Sequence, residues 1–190
     1  MLVGLLGACA LLLGAAGVMK TLAPDGTARA VLATDLPGAT LLVGRPLIRI
    51  LGMAELTVAL LAVGLGNRFS ALLLAVAYAL LALVAWRLAR HAPGQDCGCF
   101  GSTGAPGGSG VGSGASPAGN WHIGVNAVAT GIAIACAVAP QPSLLDSALD
   151  GGIPGAALAA GAVLLAWLGY LLMTALPELL TSTAKVTATR

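Results

Sequence analysis

The sequence has very few charged residues. Only 8% of its 190 residues are charged, against about 25% in an average soluble domain, whereas 58% are apolar. A soluble protein of this length could not cover its surface with so few charges without exposing large apolar patches. The composition therefore excludes an ordinary soluble domain and favours lipid as the surrounding solvent. The net charge of +2, on scattered basic residues, also argues against a nucleic-acid partner.

The motifs of several common site classes are absent as well. The sequence has no Ser-His-Asp arrangement, no phosphate-binding glycine loop with its lysine, and no paired Cys-x-x-Cys zinc spacing. Its four cysteines are too few for a disulfide-stapled secreted scaffold. Ala, Leu, Val and Gly are abundant instead, and small residues let transmembrane helices approach closely. These observations favour an all-α integral membrane protein.

Five apolar segments are long enough to cross a bilayer, whose core of about 30 Å needs about 20 helical residues. They cover about 2–19, 46–65, 69–88, 121–138 and 153–176. The first four predict a four-helix transmembrane bundle within a domain over 1–140. Region 141–190 then holds a connection, a fifth transmembrane helix and a polar C-terminal tail. A short interfacial helix is predicted over 27–34.

The most reactive side chains lie between the third and fourth predicted spans. Cys97 and Cys99, separated by Gly98, stand in a polar, glycine-rich connection over about 90–120. Such a dithiol can alternate between thiol and disulfide by exchange with a partner thiol. The small ring of a Cys-x-Cys disulfide is expected to be strained and easy to reduce, and nearby Arg90 would favour the thiolate.

Other interpretations of the cysteines stay open. Thiolates select Cu(I) and other soft ions, so Cys97 and Cys99 are also candidate metal ligands. The same pair would serve equally as a structural clip. Cys9 and Cys136 lie within predicted spans, toward the opposite face, where they form either inert packing or a second redox pair.

Three further polar residues fall inside the predicted spans. Glu55 is near the middle of the second span, and an intramembrane carboxylate is a functional-site candidate that usually has a partner. Lys20, at the end of the first span, is long enough to reach it. His122 and Asn126 are four residues apart and share one helix face, where they could orient a bound ring or shuttle protons. Each pair could also have a purely structural role.

The basic residues predict the orientation of the chain. If the spans alternate in direction, only Arg68 falls on one side of the membrane. The positive-inside rule then places the dithiol in the cytoplasm and the N-terminus outside, in a multi-pass protein of the cell membrane. The other basic residues share the side of the dithiol: Lys20, Arg29, Arg45, Arg49, Arg87, Arg90, Lys185 and Arg190.

Four stretches of the sequence form a pattern when they are considered together. They are Gly17-Val18-Met19-Lys20, Glu55, Cys97-Gly98-Cys99-Phe100-Gly101 and Asn126. Over about 2–138 this pattern resembles the MauE family (methylamine utilisation protein MauE), which belongs with the DoxX-like membrane proteins. The resemblance implies a four-helix membrane domain associated with disulfide formation.

The resemblance also implies roles for individual residues. Cys97 and Cys99 would be the redox pair, with Lys20, Glu55 and Asn126 supporting the bundle or the site. A thioredoxin-like or disulfide-containing protein would be the partner. By further analogy with disulfide-forming membrane proteins, a membrane quinone would accept the electrons.

The sequence departs from the family pattern at Val125, in a longer linker over 102–119 and in a fifth span over 153–176. Val125 stands where we expect a basic residue before the family asparagine, which weakens the inference of an anion or quinone oxygen held there. Disulfide formation outside the cytoplasm also needs an outward dithiol, whereas the basic residues predict an inward one. The sequence predicts a membrane thiol–disulfide redox protein. The alternatives are a Cu(I)-handling membrane protein and a non-catalytic membrane subunit or assembly factor.

Overall fold

The computed structural model describes residues 1–35, 43–92, 120–139 and 141–174. These residues form helices and connections, without a β-strand. The helices are α1 Leu2–Leu22, α2 Pro24–Ala33, α3 Arg45–Leu65, α4 Arg68–His91, α5 Asn120–Val138, α6 Leu144–Asp150 and α7 Gly152–Thr174. All but the short helices α2 and α6 are long and apolar enough to cross a membrane. The predicted all-α membrane fold with five spans is therefore confirmed.

The two short helices differ from the sequence-based expectation. Helix α2 begins at Pro24, three residues before the predicted start. Proline is favourable in the first turn of a helix, because the N–H group that it lacks would have no helical partner there. Helix α6 was not predicted, since a seven-residue helix is too short to span a bilayer. The Ser143 side chain caps it by accepting a hydrogen bond of 2.9 Å from the Asp146 N–H.

A tight turn joins α3 to α4. Gly66 ends α3 with a φ of +57°, in the left-handed region that favours glycine. Asn67 then caps α4, because its side chain accepts a hydrogen bond of 2.8 Å from the Ser70 N–H. The turn therefore makes α3 and α4 antiparallel neighbours without a longer connection.

Helix α1 is the central helix of the bundle. In its most hydrophobic window 61% of the residues are buried, against 11% in α7. It packs most extensively against α3, and also contacts α5 and α7, while α4 packs against α5. Side chains from α1, α3, α4 and α5 form one core, whose buried members include Leu6, Ala10, Leu13, Ala62, Leu74, Tyr78, Ala129 and Ala133. Helix α7 packs outside this core, on α1 and α6.

The α1–α3 contact is close enough to need glycine on both helices. A Cβ atom on Gly17 would lie 2.6 Å from the carbonyl oxygen of Gly52, and a Cβ atom on Gly52 would lie 2.6 Å from that of Gly17. About one helical turn earlier in α1, a Cβ atom on Gly14 would lie 3.2 Å from the Cβ atom of Ala59. The two helices are therefore antiparallel and cross backbone to backbone at Gly17 and Gly52.

Helix α2 defines one end of the bundle, which we call the α2 end. Ala30 of α2 packs against Leu88 near the end of α4. Arg45, at the start of α3, donates hydrogen bonds to Asp25 from Nε to Oδ1 at 2.8 Å and from Nη2 to Oδ2 at 3.2 Å. The end of α1 and the start of α5 lie at this end as well. The opposite end carries α6, and we call it the α6 end.

We expect Gly52→Ala to lower the stability of the bundle, because its methyl group would meet the backbone of α1. Overpacking of this kind costs about 1–3 kcal/mol. Gly64→Ala is the matched control in the same helix, since no atom lies within 4 Å of its Cβ position. Thermal unfolding in one detergent measures both variants. Equal unfolding temperatures for the two would contradict the close crossing.

Candidate functional site

A buried ion pair joins α1 to α3. The Lys20 Nζ donates a hydrogen bond to the Glu55 Oε1. Lys20 is 1% exposed and Glu55 is 6% exposed, so both charges lie inside the protein. The sequence singled out Glu55 as a costly intramembrane carboxylate and Lys20 as its candidate partner, and the structure brings the two together.

The glycine crossing explains why these two side chains meet. Lys20 and Glu55 each lie three residues after the glycine of their own helix. Side chains tilt toward the N-terminus of the helix that carries them, so on antiparallel helices both lean back over the crossing. The Lys20 Cβ is 3.1 Å from the Cβ position of Gly52, and the Glu55 Cβ is 3.3 Å from that of Gly17. Each charged side chain thus covers the glycine of the opposite helix.

The second carboxylate oxygen of Glu55 has a different environment. Glu55 Oε2 is buried and has no hydrogen-bond partner in the described part of the chain. An ionised carboxylate can accept several hydrogen bonds, and the contact with Lys20 uses only one of its oxygens. A buried oxygen in this state is costly, and in a membrane interior it marks a candidate functional group.

A second polar group lies between α1, α4 and α5. His122, Asn126 and Tyr78 line a cavity of about 20 Å³, which has room for about one water molecule. His122 is 3% exposed and Asn126 is 5% exposed. The predicted shared face of His122 and Asn126 therefore points into the bundle. The rest of the lining is apolar: Leu12, Leu13, Ala16, Leu81 and Met173.

An apolar crevice of about 120 Å³ lies beside this cavity, between α5 and α7. The two spaces share Leu12 and Tyr78 in their walls. Val128 and Leu165 line the crevice and have exposed side chains, so it reaches the surface that faces lipid. The crevice therefore leads from that surface toward the cavity with His122 and Asn126.

Tyr78 is a member of this site that sequence reasoning missed. It is 2% exposed, and its hydroxyl donates a hydrogen bond of 2.7 Å to the backbone oxygen of Cys9. A buried tyrosine hydroxyl usually finds such a partner. The available signal was a single hydroxyl-bearing aromatic residue in the middle of a mostly apolar span. It could indicate an interior position but not the cavity that the side chain lines.

The remaining predicted residues have different placements. The dithiol stretch, Cys97-Gly98-Cys99-Phe100-Gly101, lies outside the described residues. Arg90, predicted to favour its thiolate, is exposed and has its guanidinium carbon 4.3 Å from the centre of the Trp86 ring, a cation–π contact. Cys9 and Cys136 carry free thiols and pack in the same core cluster. Within the described ranges, no three His, Cys, Asp or Glu side chains are grouped to hold a metal ion.

We expect Lys20→Met to destabilise the protein strongly, because it leaves the Glu55 carboxylate buried and uncompensated. Loss of one partner of a buried pair costs about 3–5 kcal/mol, whereas replacement of both partners by apolar residues is close to neutral. The double variant Lys20→Met with Glu55→Leu should therefore recover most of the loss. Chemical unfolding of both variants in detergent measures the difference. If the losses of stability from replacing Lys20 and from replacing Glu55 simply added in the double variant, this result would contradict a coupled pair.

The comparisons with known proteins agree with this architecture. The family model described as methylamine utilisation protein MauE matches residues 1–139, which hold α1 to α5, both polar groups and the dithiol stretch. Searches of curated proteins and of solved structures returned no match. Because the match covers well over half of the 190 residues, this multi-pass membrane protein belongs to the MauE family.

Proposed function

We propose that the protein is a membrane thiol–disulfide redox protein, which exchanges a Cys97–Cys99 disulfide with a thioredoxin-like or client protein. The observation that carries the proposal is the position of the two thiols in the chain. They lie within the family-matched region, in the part of the sequence between α4 and α5. Two cysteines separated by one glycine in the sequence form a dithiol that can alternate between thiol and disulfide by exchange with a partner thiol.

The proposed exchange balances as two thiol–disulfide steps. A thiolate of the partner attacks one sulfur of the Cys97–Cys99 disulfide, which breaks that bond and forms a mixed disulfide. The second thiol of the partner then attacks the mixed disulfide and releases the reduced pair. The partner loses two electrons and two protons overall, and Cys97 and Cys99 take them up as two thiols.

A membrane quinone is the proposed electron acceptor. It would take two electrons and two protons from the reduced pair, which becomes a disulfide again while the quinone becomes a quinol. The crevice between α5 and α7 supports this choice, because it reaches the lipid-facing surface and leads toward buried polar side chains. His122 and Asn126, in the cavity beside the crevice, would shuttle protons to a quinone ring held in the crevice, and Lys20 with Glu55 would fix the helices around it.

Thiol trapping tests the exchange step. We expect Cys97→Ser or Cys99→Ser to accumulate a mixed disulfide with the partner in living cells, because the remaining thiolate attacks the disulfide of an oxidised partner and the second cysteine that would resolve the mixed disulfide is missing. Gel electrophoresis after acid quenching and alkylation detects the species. Cys136→Ser is the matched control, since its thiol is buried in the apolar core and should leave trapping unchanged.

The same experiment distinguishes the other candidate functions. Protection of both thiols that depends on copper, without a mixed disulfide, would contradict the redox proposal in favour of Cu(I) handling. Full cellular activity of Cys97→Ser with Cys99→Ser would contradict it in favour of a scaffold or assembly factor.

The orientation of the dithiol can be measured directly. In a variant with Cys97 as its single cysteine, we expect a membrane-impermeant maleimide to react from the cytoplasmic side, because most basic residues share the side of the dithiol. Asp150→Cys in a cysteine-free background marks the opposite side, since Asp150 is exposed at the α6 end. Labelling of Cys97 only from outside would reverse the orientation.

A further inference from the structure

Helix α7 supplies part of the wall of both spaces described above. Met173 lines the cavity together with His122 and Asn126. Leu165 and Ala166 line the crevice. The family model ends at residue 139, so α7 lies outside the matched region. The polar residues of the cavity therefore belong to the family core, whereas part of the wall around them comes from a helix that follows the core in the chain.

Met173 is the large side chain that α7 inserts into the protein. The structure describes this helix over its whole length, and its buried residues are Gly155, Ala162 and Met173. Met173 is 4% exposed, whereas its neighbour Leu172 is 41% exposed. The burial of Met173 is therefore particular to its position at the cavity, on a helix whose other large side chains are left more exposed.

The crevice and the cavity follow one face of α7. Ala166 and Met173 are seven residues apart, which is about two helical turns, so they share a face of the helix. Gly169 lies between them in the chain, and its Cβ position is 3.5 Å from the Leu12 side chain of α1. Leu12 is part of both walls. A molecule that enters the crevice from lipid would therefore move along this face, past Leu12, to reach the cavity.

The cavity is too small to admit the ring of a lipid-soluble molecule in this arrangement of its walls. Its volume is about 20 Å³, whereas a protein cavity that binds benzene measures about 150 Å³. Methionine is unbranched and has three rotatable side-chain bonds, so it changes shape more easily than the other side chains of the wall. Withdrawal of Met173 would therefore enlarge the cavity without a movement of the helix.

We propose that Met173 determines which quinone the protein accepts. Its side chain fills the space beside His122 and Asn126, and it moves aside when the ring of a quinone passes from the crevice into that space. The ring oxygens then come within hydrogen-bonding reach of the two polar side chains. This role of Met173 rests on the quinone acceptor proposed above, and it adds that the size of residue 173 sets the largest ring that fits.

The binding of two quinones to the full chain in detergent tests this role. Duroquinone has a single ring and menadione has two fused rings. Equilibrium dialysis against protein-free micelles gives both dissociation constants for each variant. We expect Met173→Ala to shift their ratio about tenfold in favour of menadione, because even one methylene in an apolar pocket changes discrimination by about that factor.

Three further variants complete the test. Met173→Val, a milder truncation, should shift the ratio in the same direction. Met173→Leu conserves the volume and should keep the ratio of the wild type. Leu172→Ala is the matched control, because it truncates an exposed side chain of the same helix that lines neither space.

The ring preference separates this role from a purely structural one. If Met173 only packs α7 against the core, Met173→Ala would lower the unfolding temperature and leave the ratio at its wild-type value, and this result would overturn the proposal. An equal shift in Leu172→Ala would also overturn it, since it would indicate a general loosening of α7. Failure of both quinones to bind the wild type and Met173→Ala would contradict the quinone acceptor itself, and the role of Met173 with it.

Discussion

The ion pair between Lys20 and Glu55 is the interaction on which the rest of the bundle depends. Lipid offers no hydrophobic driving force between helices, so packing and polar contacts must hold them together. The pair forms only because Gly17 and Gly52 let two backbones touch, and it covers that contact with its own side-chain stems. A residue larger than glycine at either position would separate the charges as well as the helices. The close packing of α1 on α3 and the burial of the ion pair therefore depend on the same two glycines.

The sequence could predict the spans and much of the polar pairing for simple reasons. Span length and hydropathy follow from the thickness of a bilayer, and a buried carboxylate needs a cation within reach, which Lys20 supplies. The shared face of His122 and Asn126 follows from helical spacing. The sequence could not predict which helix His122 and Asn126 would face, because this depends on how each helix is rotated about its own axis in the bundle. For the same reason it missed the glycine crossing, the role of Tyr78 and the crevice, and it missed α6 because hydropathy does not detect a short capped helix.

The polar residues in the membrane region fall into two groups with different surroundings. Lys20 and Glu55 neutralise each other between α1 and α3, whereas His122, Asn126 and Tyr78 line a cavity that lies beside the lipid-facing crevice. The first group links two helices, and the second is the group to which the proposed function assigns a lipid-soluble molecule. Family membership covers both groups, because the matched region ends at residue 139, just before α6.

Helix α1 has a second glycine-lined surface, at the opposite end from the ion pair. A Cβ atom on Gly7 would lie 2.5 Å from the side chain of Leu144 in α6, and one on Gly4 would lie 3.6 Å from that of Leu158 in α7. The segment after the family-matched region therefore rests in a groove of the family core itself. Among the described residues, the atoms nearest to a Cβ atom on Gly4 or Gly7 belong to this added segment, and those nearest to one on Gly14 or Gly17 belong to α3. Positions 4 and 7 should accordingly accept larger residues in related proteins that lack the added helices, independently of positions 14 and 17.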